Sequence, residues 1–125
     1  MSKEERLKNS NEFIKVIASC GRFFFQHNGF ISTLELSLTG RVFFIDSYTK
    51  KRIYTHRKYV RWDGFTNGGT MKRLVESMRD YITKGTQMRA AYFQPEMDNG
   101  FENPWGYGDD ILKVREAAVR LGLAH

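Results

Sequence analysis

One cysteine, two prolines and three histidines are all that 125 residues hold of the types that most often build disulfides, rigid turns and metal centres. A lone Cys20 forms neither an intrachain disulfide nor a thiolate metal cluster, which suits a reducing compartment and makes cytoplasm the expected location. His27, His56 and His125 lack HExxH or any other ligand spacing. No GxSxG, GxGxxG, GxxxxGK[ST] or paired-carboxylate metal pattern occurs. These absences lead to the expectation of a non-catalytic protein with no cofactor and no metal. His56 near Asp46 across paired strands is a conceivable acid–base pair, but no nucleophile or metal completes it. No run approaches the roughly 18 apolar residues of a membrane span, and the opening MSKEERLKNSNEF is charged, so neither an export signal nor a membrane anchor is expected.

What the chain does hold is aromatic and basic. Ten Phe, six Tyr and two Trp, with 41% hydrophobic and 27% charged residues, describe a folded chain rather than a disordered one. The length fits a single domain over residues 1–125. The formal net charge is +6. Between residues 41 and 61, Arg41, Lys50, Lys51, Arg52, Arg57, Lys58 and Arg61 face one acid, Asp46, and that surplus of six equals the net charge of the whole chain. The rest of the sequence cancels.

The periodicity along the chain predicts an α+β fold: a four-stranded antiparallel β-meander with helices packed on it, in the order α-β-β-β-β-α-loop-α. Phe13, Ile14, Ile17 and Cys20 fall at helical spacing over residues 11–20, with Ser10 or Asn11 as cap and Gly21 as stop. Ser2 and Glu5 have the spacing of a capping box, although residues 1–9 read equally as a frayed end. An aromatic strand over 22–26 meets the Asn28-Gly29 turn. Residues 30–38 alternate, with Phe30, Leu34, Leu36 and Leu38 inward. Thr39-Gly40 leads into residues 42–46, apolar on both faces as in a covered central strand. A return strand over 52–56, running on towards Trp62, completes the meander. Thr70 caps a helix with Met71, Leu74, Val75, Met78 and Ile82 on one stripe and Gly85 at its end. Residues 86–109 read as a long aromatic and acidic loop. A last helix starts at Asp109 or Asp110, buries Ile111, Val114, Ala118 and Leu121, and stops at Gly122.

The basic stretch is the leading binding candidate. Lys50, Lys51, Arg52, Arg57, Lys58 and Arg61 suit phosphates, while Tyr48, Tyr54, Tyr59 and Trp62 are placed to stack on unpaired bases. The partner is nucleic acid or an acidic host protein surface. A plainer reading has the cations blunting a sheet edge. Gly68 and Gly69 with Lys72 and Arg73 form a second, anion-binding candidate, because two cations in the first turn oppose the helix macrodipole. An ordinary glycine turn explains the same residues. Glu96, Asp98, Glu102, Asp109 and Asp110 make residues 92–110 acidic without a single Lys or Arg. This segment is expected to meet the basic hairpin, within the monomer or reciprocally in a homodimer. A purely structural oligomer is the remaining alternative.

The segments GRVFFID, RIYTH, GFTNGGTMKRLVESMRDYI and WGYGDDILKVREAAVRLG, in this order, resemble small uncharacterised accessory proteins encoded by phages and prophages of enteric bacteria, over residues 22–122. The resemblance transfers no catalytic or binding residue. It implies stoichiometric action on host machinery that handles nucleic acid, as in anti-restriction and anti-CRISPR proteins.

Overall fold

A computed structural model describes residues 1–20, 24–58, 60–93 and 110–125. Among them are three α-helices, a two-stranded and a three-stranded antiparallel sheet, and a 3-10 turn over Ala90–Tyr92. Helix α1 spans Lys3–Ala18, so the polar opening is helical rather than frayed. The reason is local: Ser2 Oγ accepts from Glu5 N–H at 3.1 Å, and Glu4 and Glu5 sit where the helix dipole favours acids. Arg6 adds a long-range tie by donating Nε–H to the carbonyl of Ile82 at 3.0 Å. Phe13, Ile14, Ile17 and Cys20 are buried as the spacing predicts.

Strands β1 (Gln26–His27) and β2 (Phe30–Ile31) pair across the Asn28-Gly29 turn. Both turn residues have positive φ, 49° and 80°, the conformation that matches the twist of the flanking strands. Strands β3 (Thr33–Leu36), β4 (Val42–Ile45) and β5 (Arg52–Tyr54) form the larger sheet in that order.

The expected four-stranded meander is therefore two sheets, and the division falls at Ser32. Its N–H donates to Phe25 O at 2.8 Å while its hydroxyl accepts from Ser47 N–H at 3.0 Å, so the buried serine serves the turn after β4 and the strand bends. Phe25, buried with φ 62°, stops β1 on its other side. Phe30 and Leu38, expected inward, are both exposed, and Leu38 lies in the turn closed by Gly40 N–H to Ser37 O at 3.0 Å. The free edge of β3 is closed by a side chain. Asn11, rather than capping a helix, donates Nδ2–H to Leu34 O at 3.0 Å and accepts Leu34 N–H at 2.7 Å, a one-residue imitation of a neighbouring strand.

The sheet register puts Leu34, Phe44 and Ile53 in one row on the inner face, all buried. On the outer face run the rows Glu35–Phe43–Tyr54 and Thr33–Ile45–Arg52. Helix α2 (Gly69–Lys84) lies behind the sheet, against β4 and α1, burying Met71, Leu74, Val75, Met78 and Ile82 and ending at Gly85 with φ 75°. Helix α3 (Asp110–Arg120) packs on α1 and buries Ile111, Val114, Ala117 and Ala118. Residues beyond it return along the chain: Met88 bridges Ala124 in parallel, with Met88 N–H to Leu123 O at 2.8 Å and His125 N–H to Met88 O at 3.0 Å. Phe93 enters the core edge-on to Phe13 at 5.8 Å. The Gly21 stop, residues 22 and 23, and residues 94–109 with Asp109 lie outside the described residues.

Candidate polyanion-binding surface

The turn that carries the cations is organised by the one acid of its stretch. Asp46 is fully buried, and its Oδ1 accepts from Tyr48 N–H at 2.9 Å and Thr49 N–H at 3.1 Å. Its Oδ2 accepts from Thr66 N–H at 2.9 Å, and the Thr66 hydroxyl donates to the same carboxyl at 3.0 Å. An aspartate that bonds the backbone two residues on is the usual way such a turn is fixed. Asp46 therefore faces inward, towards backbone donors, and among the described residues it makes no ion pair.

The loop after β5 buttresses this turn from beneath. Thr49 donates its hydroxyl to Gly64 O at 2.9 Å, and the Lys51 stem crosses Gly64 so closely that a Cβ there would lie 2.7 Å from Lys51 Cδ. With φ 86° as well, position 64 accommodates only glycine without a shift. Phe65 and Trp62 pack edge-on at 5.5 Å, and Phe65 meets Phe44 at 5.3 Å. The β1–β2 hairpin braces the other side of the tip, with His27 4.5 Å from the Tyr48 ring and Lys50 Nζ 5.3 Å above Phe30. Lys50 itself is left-handed, φ 58°.

Lys50, Lys51, Arg52, Arg57, Lys58 and Arg61 are all exposed. Among the described residues only Arg52 of these meets a carboxylate, Glu35 at 3.1 Å, and its guanidinium lies 3.5 Å above the Phe43 ring. Tyr54 is half-buried beside Phe43 at 5.5 Å and helps line a hollow of about 250 Å³ with Arg57 and Asp63. Tyr59 lies outside the described residues.

Two expectations for this region are corrected. The return strand ends at Tyr54 rather than running towards Trp62, because side chains take over its pairing. Val42 N–H donates to His56 Nε2 at 3.0 Å, Thr55 donates its hydroxyl to Val42 O at 2.7 Å, and Arg79 donates to Thr55 O. Trp62 is buried at 3% exposure, with Nε1–H to Arg57 O at 3.4 Å and Lys72 Nζ 4.8 Å over its ring, so it is core and not a stacking platform. The same geometry separates His56 from Asp46. The register places them at opposite ends of the hairpin, and the acid–base pair does not form. Burial, followed by the nearby Arg79 and Arg41, lowers the His56 pKa, consistent with a neutral ring accepting a backbone hydrogen bond.

At the second candidate, Gly68 rather than Thr70 is the cap of α2, and Thr70 lies inside the helix. Gly68 and Gly69 are exposed. Lys72 is engaged by Glu76 at 3.3 Å and by Trp62, which accounts for a cation in the first turn without an anion. Arg73 is exposed and faces a separate hollow described below. Of the acidic segment, only Asp110 among its acids falls within the described residues. Cys20 is buried, and burial raises its pKa ahead of the Asp110 charge, as for an unreactive structural thiol. Among the described residues no cluster of His, Cys, Asp or Glu is arranged to hold a metal, and no helix is long and apolar enough to cross a membrane.

Arg79 was not singled out in the sequence. It occupies an apolar position of the α2 stripe, four residues after Val75 and three residues before Ile82, and a charge at such a position was the available signal.

No solved structure matches the chain significantly. A curated relative is the SPbeta prophage-derived uncharacterized protein YoqU of Bacillus subtilis (strain 168), 27% identical over 122 residues, which covers 94% of this chain and 82% of the relative. The prophage part of the expected resemblance is thereby supported; its enteric source is not. The YoqU family model matches residues 1–125, and the chain belongs to that family.

Proposed function

We propose that this protein is a phage-type accessory protein that binds nucleic acid through the β4–β5 turn and the segment returning from it. The observation that carries this reading is the separation of charges at the hairpin. Five of its six exposed cations have no carboxylate partner among the described residues, while its only acid is buried against backbone donors. Unpaired exposed cations release counterions when they meet phosphates. Contact is to the backbone rather than the bases. Trp62 is buried and the Phe43 face is covered by Arg52, and among the described aromatics of this surface Tyr48 is the most exposed. Binding is therefore expected to tolerate any sequence.

The test is fluorescence anisotropy with a labelled oligonucleotide at several salt concentrations. With a duplex probe, five phosphate contacts predict a slope near −4.5 and a loss of roughly 500-fold between 50 and 200 mM salt. Lys50→Glu combined with Arg57→Glu and Arg61→Glu is expected to abolish binding while leaving stability within about 0.5 kcal/mol. An affinity that ignores salt, or survives this triple reversal, overturns the reading. A second reading, stoichiometric inhibition of a host nucleic-acid-processing or defence protein, is supported by the prophage-derived relative. A nuclease-treated pull-down that retrieves one host protein in equal amount would favour it.

A further inference from the structure

A hollow of about 620 Å³ lies between α2 and residues 88–92. Arg73, Glu76, Ser77, Arg79 and Asp80 line it from α2, all but Arg79 at positions i, i+3, i+4 and i+7 of one stripe of the helix. Met88, Arg89 and Tyr92 face them. The volume is in the range that holds a small organic ligand.

The charges within it are not balanced. Glu76 is paired with Lys72 at 3.3 Å, and Asp80 with Arg79 at 3.1 Å. Arg79 is further fixed by its bond to Thr55 O. Arg73 and Arg89 meet no carboxylate among the described residues, so the hollow carries two uncompensated guanidinium groups. Two such groups match the charge of a phosphate monoester, which is about −1.5 to −2 near neutral pH, and their planar forks suit its oxygens. An internal phosphodiester carries only one charge and needs no concavity. The remaining walls, the Tyr92 ring at 39% exposure and the Met88 thioether, offer a planar group a surface to lie on.

The site is also built in advance. The wall bearing Arg89 is held by residues 123–125 through Met88 N–H to Leu123 O at 2.8 Å, His125 N–H to Met88 O at 3.0 Å and Ala90 N–H to His125 O at 2.9 Å. A wall fixed before binding reduces the ordering cost of the ligand complex.

We propose that this hollow binds a nucleoside monophosphate unit, its phosphate between Arg73 and Arg89 and its base against Tyr92 and Met88. The proposal stands apart from the hairpin and does not depend on it. The same unit occurs as a free mononucleotide and as the 5′-phosphorylated end of a strand. Calorimetric titration of the full chain with dAMP, deoxyadenosine and inorganic phosphate separates the recognised parts. A thymidine oligomer with and without a 5′-phosphate separates the two sources.

Saturable dAMP binding is expected, with deoxyadenosine and phosphate each weaker by about tenfold or more, and with a similar loss in Arg73→Ala/Arg89→Ala. Tyr92→Leu should weaken dAMP but leave inorganic phosphate unchanged, a pattern that misfolding would not give. The Lys50→Glu/Arg57→Glu/Arg61→Glu variant should bind dAMP as the native chain does. If only the phosphorylated oligomer shows the dependence on Arg73 and Arg89, the ligand is a strand end and the site assignment holds. The proposal is overturned if neither phosphorylated probe distinguishes Arg73→Ala/Arg89→Ala, correctly folded by circular dichroism, from the native chain.

Discussion

The two ends of the β4–β5 hairpin are both held by buried or half-buried polar side chains, but of opposite kinds. At the turn, Asp46 is an acceptor that gathers donors from the turn itself and from Thr66, twenty residues on. At the open end, His56 accepts from Val42 N–H while Arg79 donates to Thr55 O, so a neutral ring and a cation divide the work. The turn end thus depends on one residue with several partners, whereas the open end depends on three side chains, His56, Thr55 and Arg79, with few partners each. Damage should be concentrated at the first and spread at the second.

Asp46→Ala should expose that concentration most severely. It leaves Tyr48 N–H, Thr49 N–H, Thr66 N–H and the Thr66 hydroxyl without their acceptor. A loss of about 3–5 kcal/mol in urea unfolding is expected. A loss below about 1 kcal/mol would mean that the turn is organised by something else. Arg79→Leu keeps the apolar contacts of the α2 stripe but orphans Thr55 O, and about 2–3 kcal/mol should disappear in the same measurement. An equal effect at both positions would dissolve the contrast between the ends.

The smallest effect concerns pH and belongs to the open end. The folded pKa of His56 is lowered, so folding favours the neutral ring. Its contribution is complete above the ordinary histidine value of about 6.5 and is lost as pH falls towards the folded value. The urea midpoint of the native chain should therefore drop between pH 7.5 and 5.5 by more than that of His56→Gln, whose amide oxygen accepts without titrating. Parallel pH profiles for the two proteins would remove His56 from the account.

The elements legible in the sequence were those whose cause is local. The stripe from Met71 to Ile82, the Gly85 stop and the Asn28-Gly29 turn each depend on spacing within one or two turns of chain, whereas the Ser2–Glu5 spacing left a helix start and a frayed end equally open. The errors share another cause. Ser32 breaks a strand because Ser47 arrives fifteen residues later, and β5 stops early because Arg79 reaches back to Thr55 from α2. No period in residues 30–38 or 52–62 registers such partners.

The cations of the candidate site could be read directly, since clustering is a property of sequence. The burial of Asp46 and Trp62 could not, because it depends on the loop at 62–66 folding under the hairpin. Burying Asp46 changes the electrostatic meaning of the stretch, from a mixed one to one whose exposed charged side chains, among its described residues, are all basic.

The parallel bridge between Met88 and Ala124 ties the segment 123–125 to the wall that presents Arg89 and Tyr92. None of those three residues lines the hollow. They act as a latch on its shape, so the geometry that a ligand meets there is set partly by side chains and amides it never touches.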